Sequence, residues 1–207
     1  TVSGNASSTS DEFDFVVKFW TDETKTTPVT QNLRYAYSTT PATDGFSAIS
    51  YDETAGGYPI TLRHGQMATF VSLTQGWAYE VWENDNALGY TLVSANPASG
   101  VMPEVSASAS FHNVKNELTL VKKVTGLDEG DSVSPSVEIT DKAGKTVFSG
   151  VLTPDKIETL SLIPGDYTLT ESGCDMTGMG YDWTSATLSG LNAEIASKDG
   201  GKAAFTF

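Results

Sequence analysis

The sequence lacks residues on which whole classes of protein depend. It contains one cysteine, Cys174, so an internal disulfide framework is excluded. It contains two histidines, His64 and His112, too few for a His/Cys metal site of ordinary spacing. We therefore predict no metal site and no cofactor, and we expect both histidines to be surface residues. Zinc enzymes and Cys-His hydrolases are poor candidates for the same reason.

Positive charge is also scarce. Lysine and arginine number 12 against 26 aspartates and glutamates, which gives a formal net charge of −14. A surface this anionic repels phosphate backbones and anionic membranes, so nucleic-acid partners are excluded and membrane surfaces are disfavoured. No apolar run approaches the roughly 18 residues of a membrane helix, so membrane insertion is not expected. No export signal opens the chain, and we expect any such signal to have been removed or to lie upstream.

The pattern of apolar residues indicates strands rather than helices. Hydrophobic residues make up 39% of the 207 residues, a normal share for a globular chain of two domains. They recur with period two, which is typical of half-buried strands, and turn residues separate the runs. The sequence predicts an all-β protein with strands in these runs: Phe13–Trp20, Leu33–Tyr37, Tyr58–Leu62, Met67–Leu73, Trp77–Glu83, Val105–Asn113, Glu117–Val124, Ser136–Thr140, Thr146–Leu152, Tyr167–Glu171 and Ala203–Phe207.

An internal repeat divides the chain. Val2-Ser3-Gly4 recurs as Val124-Thr125-Gly126, an offset of 122, whereas the strands ending at Glu83 and Glu171 are offset by 88. Further matches pair Gly89-Tyr90 with Gly180-Tyr181, and Phe111 with Phe207 at an offset of 96. The falling offset indicates that the second copy lacks about thirty residues, which we place in Thr21–Gly57. We predict two tandem Ig-like or reverse-Ig-like β-sandwich domains, residues 1–114 and 115–207.

Three of these motifs resemble a known family. The opening Lys122–Gly126, the Gly-x-Tyr-x-Leu-x-Glu strand ending at Glu171 and the closing Phe111-x-Asn113 resemble the isopeptide-forming domains of Gram-positive pilins and the B-type repeats of collagen-binding adhesins. The first copy, with Gly4-Asn5 and then Ser10–Phe15, is similar to the streptococcal major-pilin linkage domain, and the second to the B-type repeat. The resemblance implies that a first-strand lysine condenses with a last-strand asparagine beside an acidic residue.

The resemblance points to four candidate residues: Lys122, Glu171, Asn113 and Glu83. Period two places Glu83 on the face of Tyr79 and Val81, and Glu171 on that of Tyr167 and Leu169, so both glutamates are expected to point inward. In an apolar core a lysine becomes a neutral nucleophile, and a carboxylic acid stays protonated and polarises the amide. Ammonia leaves once per molecule, so this is self-modification and the protein is not expected to be an enzyme.

The same period-two alternation predicts which face of its strand each of the other two candidates, Asn113 and Lys122, occupies. Asn113 follows Phe111, Ala109, Ala107 and Val105 on one face, and Lys122 follows Leu118 and Leu120, whereas Lys123 points the other way. The missing partners fall just before Thr1 and two residues after Phe207, so we expect the chain to be trimmed from a longer protein. Lys18 is an alternative amine, but Phe13, Phe15, Val17 and Phe19 place it on the opposite face.

Structural interpretations of the four residues remain open. Either glutamate could be a hydrogen-bonded structural residue, Asn113 a turn residue, and Lys122 an edge-strand charge that prevents aberrant pairing. Cys174 could belong to a thioester but is expected to be a half-buried free thiol. The acidic loops Asp128–Asp131 and Glu83–Asn86 follow no calcium-binding pattern and are expected to be solvated.

These inferences favour a structural role. We predict a stalk segment of a secreted, cell-wall-anchored pilin or adhesin of a Gram-positive bacterium, with neighbouring domains or subunits as partners. The alternative is a carbohydrate- or matrix-binding module, with a host matrix protein or glycan as partner, which two or more exposed tryptophans on one face would favour (candidates Trp20, Trp77, Trp82 and Trp183). A glycosidase with paired carboxylates ranks last, because Glu83 and Glu171 fall in different predicted domains.

Overall fold

The computed structural model describes residues 1–85, 87–124, 126–173, 186–188, 193–195 and 201–206. Every regular element in these ranges is a β-strand, so the predicted all-β class is confirmed. The chain divides into two compact units, Thr1–Lys115 and Asn116–Phe207. Cys174, Gly180-Tyr181, Trp183 and Phe207 lie outside the described residues.

The first unit contains ten strands: β1 (Val2–Ser3), β2 (Phe13–Trp20), β3 (Leu33–Ser38), β4 (Ser47–Ile49), β5 (Tyr58–Leu62), β6 (Met67–Val71), β7 (Ala78–Glu83), β8 (Thr91–Asn96), β9 (Ser99–Val101) and β10 (Ser110–Val114). The second unit continues with β11 (Asn116–Val121), β12 (Ser136–Asp141), β13 (Thr146–Val151), β14 (Ile157–Leu162), β15 (Asp166–Ser172), β16 (Ala186–Leu188), β17 (Ala193–Ile195) and β18 (Gly201–Thr206).

The first unit packs a four-stranded sheet against two smaller ones. The central sheet has the order β5-β2-β7-β9, and the others have the orders β4-β3-β6 and β1-β10-β8. The alternation in β2 explains its position, because Phe13, Phe15, Val17 and Phe19 are buried while Asp14 is exposed. These side chains form one core with Tyr58 of the same sheet and with Leu33 and Val2 of the two other sheets. Two layers therefore enclose the core, as in a β-sandwich.

The second unit repeats this arrangement with fewer strands. Its main sheet has the order β13-β12-β15-β18, and β11 pairs with β14. Leu118 and Leu120 of β11 pack in one buried cluster with Val137 and Ile139 of β12 and with residues of β14 and β15. The core again lies between two layers.

Strand register supports the internal repeat. Phe15 lies opposite Glu83 and Val137 lies opposite Glu171, which reproduces the offsets of 122 (137 − 15) and 88 (171 − 83). Between β2 and β5 the first unit contains β3 and β4, whereas β12 leads directly to β13 through a turn at residues 142–145. The segment missing from the second copy is therefore the one predicted from the offsets.

Two sequence inferences at the ends of the units are wrong. The run from Val105 is not a strand before Ser110, and Val105 is 92% exposed. In addition, β18 corresponds to β9 and not to β10, because Asp166 lies opposite Thr206 as Ala78 lies opposite Val101. The predicted correspondence of the two closing strands therefore does not hold for the described residues of β18, and Phe207 itself lies outside them. Glu171 lies opposite Gly201, at the start of β18.

Candidate functional site

The second unit places Lys122 against Glu171. Lys122 directly follows β11, whose inward residues are Leu118 and Leu120, and Glu171 follows Tyr167 and Leu169 on the buried face of β15. Lys122 Nζ donates a hydrogen bond to Glu171 Oε1 at 2.8 Å. The side chains are 14% and 6% exposed, respectively. The inward orientation predicted for Glu171 is therefore what the structure shows.

Each charge of this ion pair depends on the other, because both side chains are largely removed from water. Transferring a charged group out of water costs several kcal/mol unless an opposite charge and further hydrogen bonds compensate. The backbone around the lysine is fixed as well, because the Asp155 N–H donates to the Lys122 carbonyl oxygen at 2.8 Å. Lys123, by contrast, is exposed. Of the two consecutive lysines, Lys122 is thus the one held at the buried glutamate.

The first unit places Asn113 against Glu83. Asn113 lies on β10 and is 3% exposed, and Glu83 ends β7. Asn113 Nδ2 donates to both carboxylate oxygens of Glu83, at 2.8 and 3.0 Å. The Asn113 backbone N–H donates to the Thr1 carbonyl oxygen at 2.9 Å, because β10 runs parallel to β1 with Val2 opposite Asn113. The start of β1, the asparagine and the glutamate therefore lie together.

Burial in this cluster shifts the pKa values of Glu83 and of the Thr1 amino group toward their uncharged forms. Burial raises the pKa of the Glu83 carboxyl above its ordinary value, and the hydrogen bond from Asn113 opposes this shift. Burial lowers the pKa of the Thr1 α-amino group, an effect that the Glu83 charge opposes. That amino group donates to the Phe111 carbonyl oxygen at 2.6 Å. The nitrogen of Thr1 therefore lies close enough to Glu83 for the two charges to interact.

Lys18 lies elsewhere. It is opposite Glu80 in the β2–β7 ladder, and its side chain lies over Gly56 and Gly57. It occupies the face opposite the core, as its position between Val17 and Phe19 indicates, and the structure does not bring it to Asn113 and Glu83.

The histidines lie at the surface, as expected, with His64 exposed and His112 half-buried, and each also makes a contact that the sequence does not predict. Val2 N–H donates to His64 Nδ1 at 3.0 Å, and Ser3 Oγ lies 2.7 Å from His112 Nε2. Both histidines therefore contact β1 from the surface of the unit. These contacts join residues 62 and 109 positions apart, and no local pattern in the sequence indicates them.

The described part of the chain offers no residues for a metal site or a membrane-spanning helix. It contains no group of three or more His, Cys, Asp or Glu residues that could hold a metal ion. No helix among the described residues has the length and apolar character to cross a membrane. Glu83 and Glu171 belong to separate compact units.

The fold and these clusters define a class: an all-β chain whose two units each hold a glutamate beside an amide or an amine. The family model named Domain of unknown function (DUF7601) matches residues 1–115, and the chain belongs to this family. No curated protein matches the chain.

Solved structures similar to this chain include bacterial adhesins and pilins. One is a Mobiluncus mulieris adhesin described as containing intramolecular disulfide, isopeptide and ester bond cross-links, with 12% identity, TM-score 0.32, and 98% of this chain and 81% of that chain covered. The major pilin of Streptococcus pyogenes has 15% identity and TM-score 0.25, covering 86% and 81%. The Bacillus anthracis TIE protein has 16% identity and TM-score 0.29, covering 95% and 31%. Similarities this low carry no argument about function.

Proposed function

We propose that this chain is a structural segment of a bacterial cell-surface adhesin or pilin, and that its sandwiches are built to be closed by lysine–asparagine amide bonds. One observation carries the proposal. Equivalent glutamates, Glu171 and Glu83, contact the amine of Lys122 in the second unit and the amide of Asn113 in the first. Each unit thus contains two of the three residues that the proposed arrangement requires.

The proposed reaction needs only these groups. The lysine Nζ becomes neutral by passing a proton to the glutamate carboxylate and then attacks Cγ of the asparagine. The glutamate, now protonated, donates a hydrogen bond to Oδ1 and stabilises the developing negative charge. The C–N bond to Nδ2 then breaks, the proton that the attacking Nζ loses passes through the glutamate carboxyl to Nδ2, ammonia leaves, and an amide joins the two side chains. Burial of both reacting groups supplies the proximity. The reaction occurs once and links the first strand to the last, so tension on the chain ends cannot separate them.

The state of Glu83 fits the acid in this scheme. Its raised pKa favours the protonated form, which can donate a hydrogen bond. With the carboxyl protonated, Asn113 would turn its amide about the terminal torsion so that Oδ1 instead of Nδ2 faces Glu83. That turn leaves the contact between the two side chains in place.

The position of the amine in the first unit follows from β1. Alternate residues of a strand share a face, and Val2 is buried opposite Asn113. A residue directly before Thr1 would therefore point inward, beside Asn113 and Glu83. It is also the position equivalent to Lys122, since 122 − 122 is 0 by the repeat offset. In the second unit the amide would belong on a strand corresponding to β10, a place that no described residue takes.

The proposal is tested by adding the missing lysine to the first unit and measuring whether the amide bond forms. The full chain is extended by a short peptide that places lysine directly before Thr1, and its intact mass is measured after folding. We expect the mass to fall by one ammonia, and tandem mass spectrometry should locate the link at Asn113. The matched control carries alanine in place of the added lysine, and Asn113→Ala and Glu83→Ala in the lysine chain should each keep the full mass. An unmodified mass in folded lysine-bearing protein would refute the proposal.

A further inference from the structure

The outer face of the central sheet in the first unit carries a row of side chains that the proposed amide bond does not use. In the β2–β7 ladder Lys18 lies opposite Glu80, and Trp82 lies opposite Val16. Trp20 ends β2 on the same face, because alternate residues of a strand point the same way. Lys25, from the turn after β2, reaches this row. We call Trp20, Lys25, Glu80 and Trp82 the tryptophan strip.

Contacts within the tryptophan strip hold its side chains in place. The Trp82 indole N–H donates to Glu80 Oε2 at 3.0 Å, and Lys25 forms an ion pair with Glu80 Oε1. Lys25 Nζ also lies 5.4 Å from the centroid of the Trp20 ring, within the range of a cation–π contact. The hydrogen bond from Lys25 lowers the pKa of Glu80, so the carboxylate stays charged. These side chains lose little freedom when a ligand binds.

Exposure makes the strip a candidate for binding. Trp82 is 57% exposed and Trp20 is half-buried, whereas Trp77 packs against the core. Tryptophan supplies a large, rigid contact surface and is enriched among residues that dominate binding energy. Trp20 and Trp82 lie opposite Ala78 and Val16, so they are separated by about 13 Å along β7. A ligand must be longer than one sugar ring to reach both indoles.

Charge identifies the class of ligand. Lys18 and Lys25 are balanced by Glu80 and Asp22, and Glu23 in the same turn adds one negative charge, so the strip and its border carry no excess positive charge that would attract an anion. The chain as a whole carries −14, which repels anionic ligands. A neutral ligand avoids this repulsion. Between the two indoles, a carboxylate accepts and an ammonium donates hydrogen bonds, the pair of functions that hydroxyl groups need.

We propose that the tryptophan strip binds a neutral oligosaccharide. Sugar rings stack on Trp82 and Trp20, and their hydroxyls bond to Glu80 and Lys25. The proposal is independent of the amide bond, since these four residues lie on the face opposite Glu83 and Asn113.

The test titrates the full chain with maltohexaose, cellohexaose and chitohexaose, with heparin as the anionic comparison, and measures binding by calorimetry. We expect saturable binding of at least one neutral hexasaccharide. Trp82→Ala should weaken it about tenfold, and Trp82→Phe should weaken it less. The control Tyr37→Ala removes an aromatic side chain that is 44% exposed on β3, outside the strip, and should leave the affinity unchanged. Circular dichroism checks that each variant is folded.

Four results would overturn the proposal: no saturable binding of any of the three hexasaccharides, equal affinity in Trp82→Ala, binding of heparin alone, or self-association of the chain that Trp82→Ala abolishes. The last result would assign the strip to a protein partner.

Discussion

Replacing Lys122 by methionine should destabilise the second unit by about 3 kcal/mol. Methionine keeps an apolar stem but leaves the Glu171 carboxylate, whose side chain is 6% exposed, without the ammonium that lies 2.8 Å away. Removing one partner of a buried ion pair typically costs about 3–5 kcal/mol. The side chain of Lys122 is 14% exposed, so some water already reaches this site, which places the expected cost at the lower end.

The reverse and double substitutions separate charge from packing. Glu171→Leu alone should cost less than Lys122→Met, because the flexible stem of lysine lets its ammonium reach solvent. Combining Lys122→Met with Glu171→Leu should restore stability to within about 1 kcal/mol of the parent chain, since no buried charge remains. The coupling between the two sites is then read from the double-mutant cycle.

The assay is urea unfolding of the full chain followed by hydrogen exchange of peptides from β12 and β15, which report on the second unit alone. Lys156→Met is the matched control, because Lys156 and Glu158 form a surface pair with side chains 62% and 32% exposed, and it should cause no measurable change. A loss below about 1 kcal/mol for Lys122→Met, or no recovery in the double variant, would show that the pair is not an energetically buried one.

Three further predictions concern the first unit. The raised pKa of Glu83 means that the folded state binds its proton more tightly than the unfolded chain, so stability from this group falls as pH rises from its ordinary value of 4.5 through the folded value; urea midpoints across pH should show this slope, and Glu83→Gln should flatten it. Tyr58 Oη contacts the carbonyl oxygens of Val29 and Gln31 at 2.9 and 2.7 Å, so Tyr58→Phe should cost about 1–3 kcal/mol in urea unfolding. Burial raises the pKa of Tyr58 to about 12, and a phenolate signal from this residue at clearly lower pH in folded protein would contradict its burial. Gly57→Ala would place Cβ 2.7 Å from Val16 Cγ1 and 2.8 Å from the Val17 carbonyl oxygen, so the melting temperature should fall, by the equivalent of about 1–3 kcal/mol; Gly150→Ala, which meets only the movable ring of Phe148, should cost less, and equal losses would refute the clash.

Period-two alternation predicted strands well where one face is buried and the other open. The predicted bounds of β2 and β5 agree with the structure for this reason. It failed for β8, where Leu92 and Val93 are adjacent and both more than 40% exposed, so burial does not alternate. It also missed β14, in which Ile157 is exposed although it begins the strand.

The candidate site was predictable where it depends on strand faces. Lys122 and Glu171 each follow two buried apolar residues at spacings of two, so their meeting in the core follows from local pattern. Contacts between distant segments could not be predicted in this way. The hydrogen bond between His64 and Val2, for example, depends on how the loops close over β1. The mistaken correspondence of β18 with β10 has a related cause: a matching aromatic residue in the sequence does not reveal which neighbour a strand pairs with.

The parallel pairing of β1 with β10 determines how the first unit bears load. The Thr1 carbonyl accepts from Asn113 N–H, and the Ser3 carbonyl accepts from Lys115 N–H. The chain enters at the start of β1 and leaves at the end of β10, so a pull on both ends drives the two strands past each other along their axes. Such shear loads the ladder bonds simultaneously, whereas unzipping would break them in sequence. This geometry resists such a pull through the ladder bonds alone, without any contribution from the proposed amide bond.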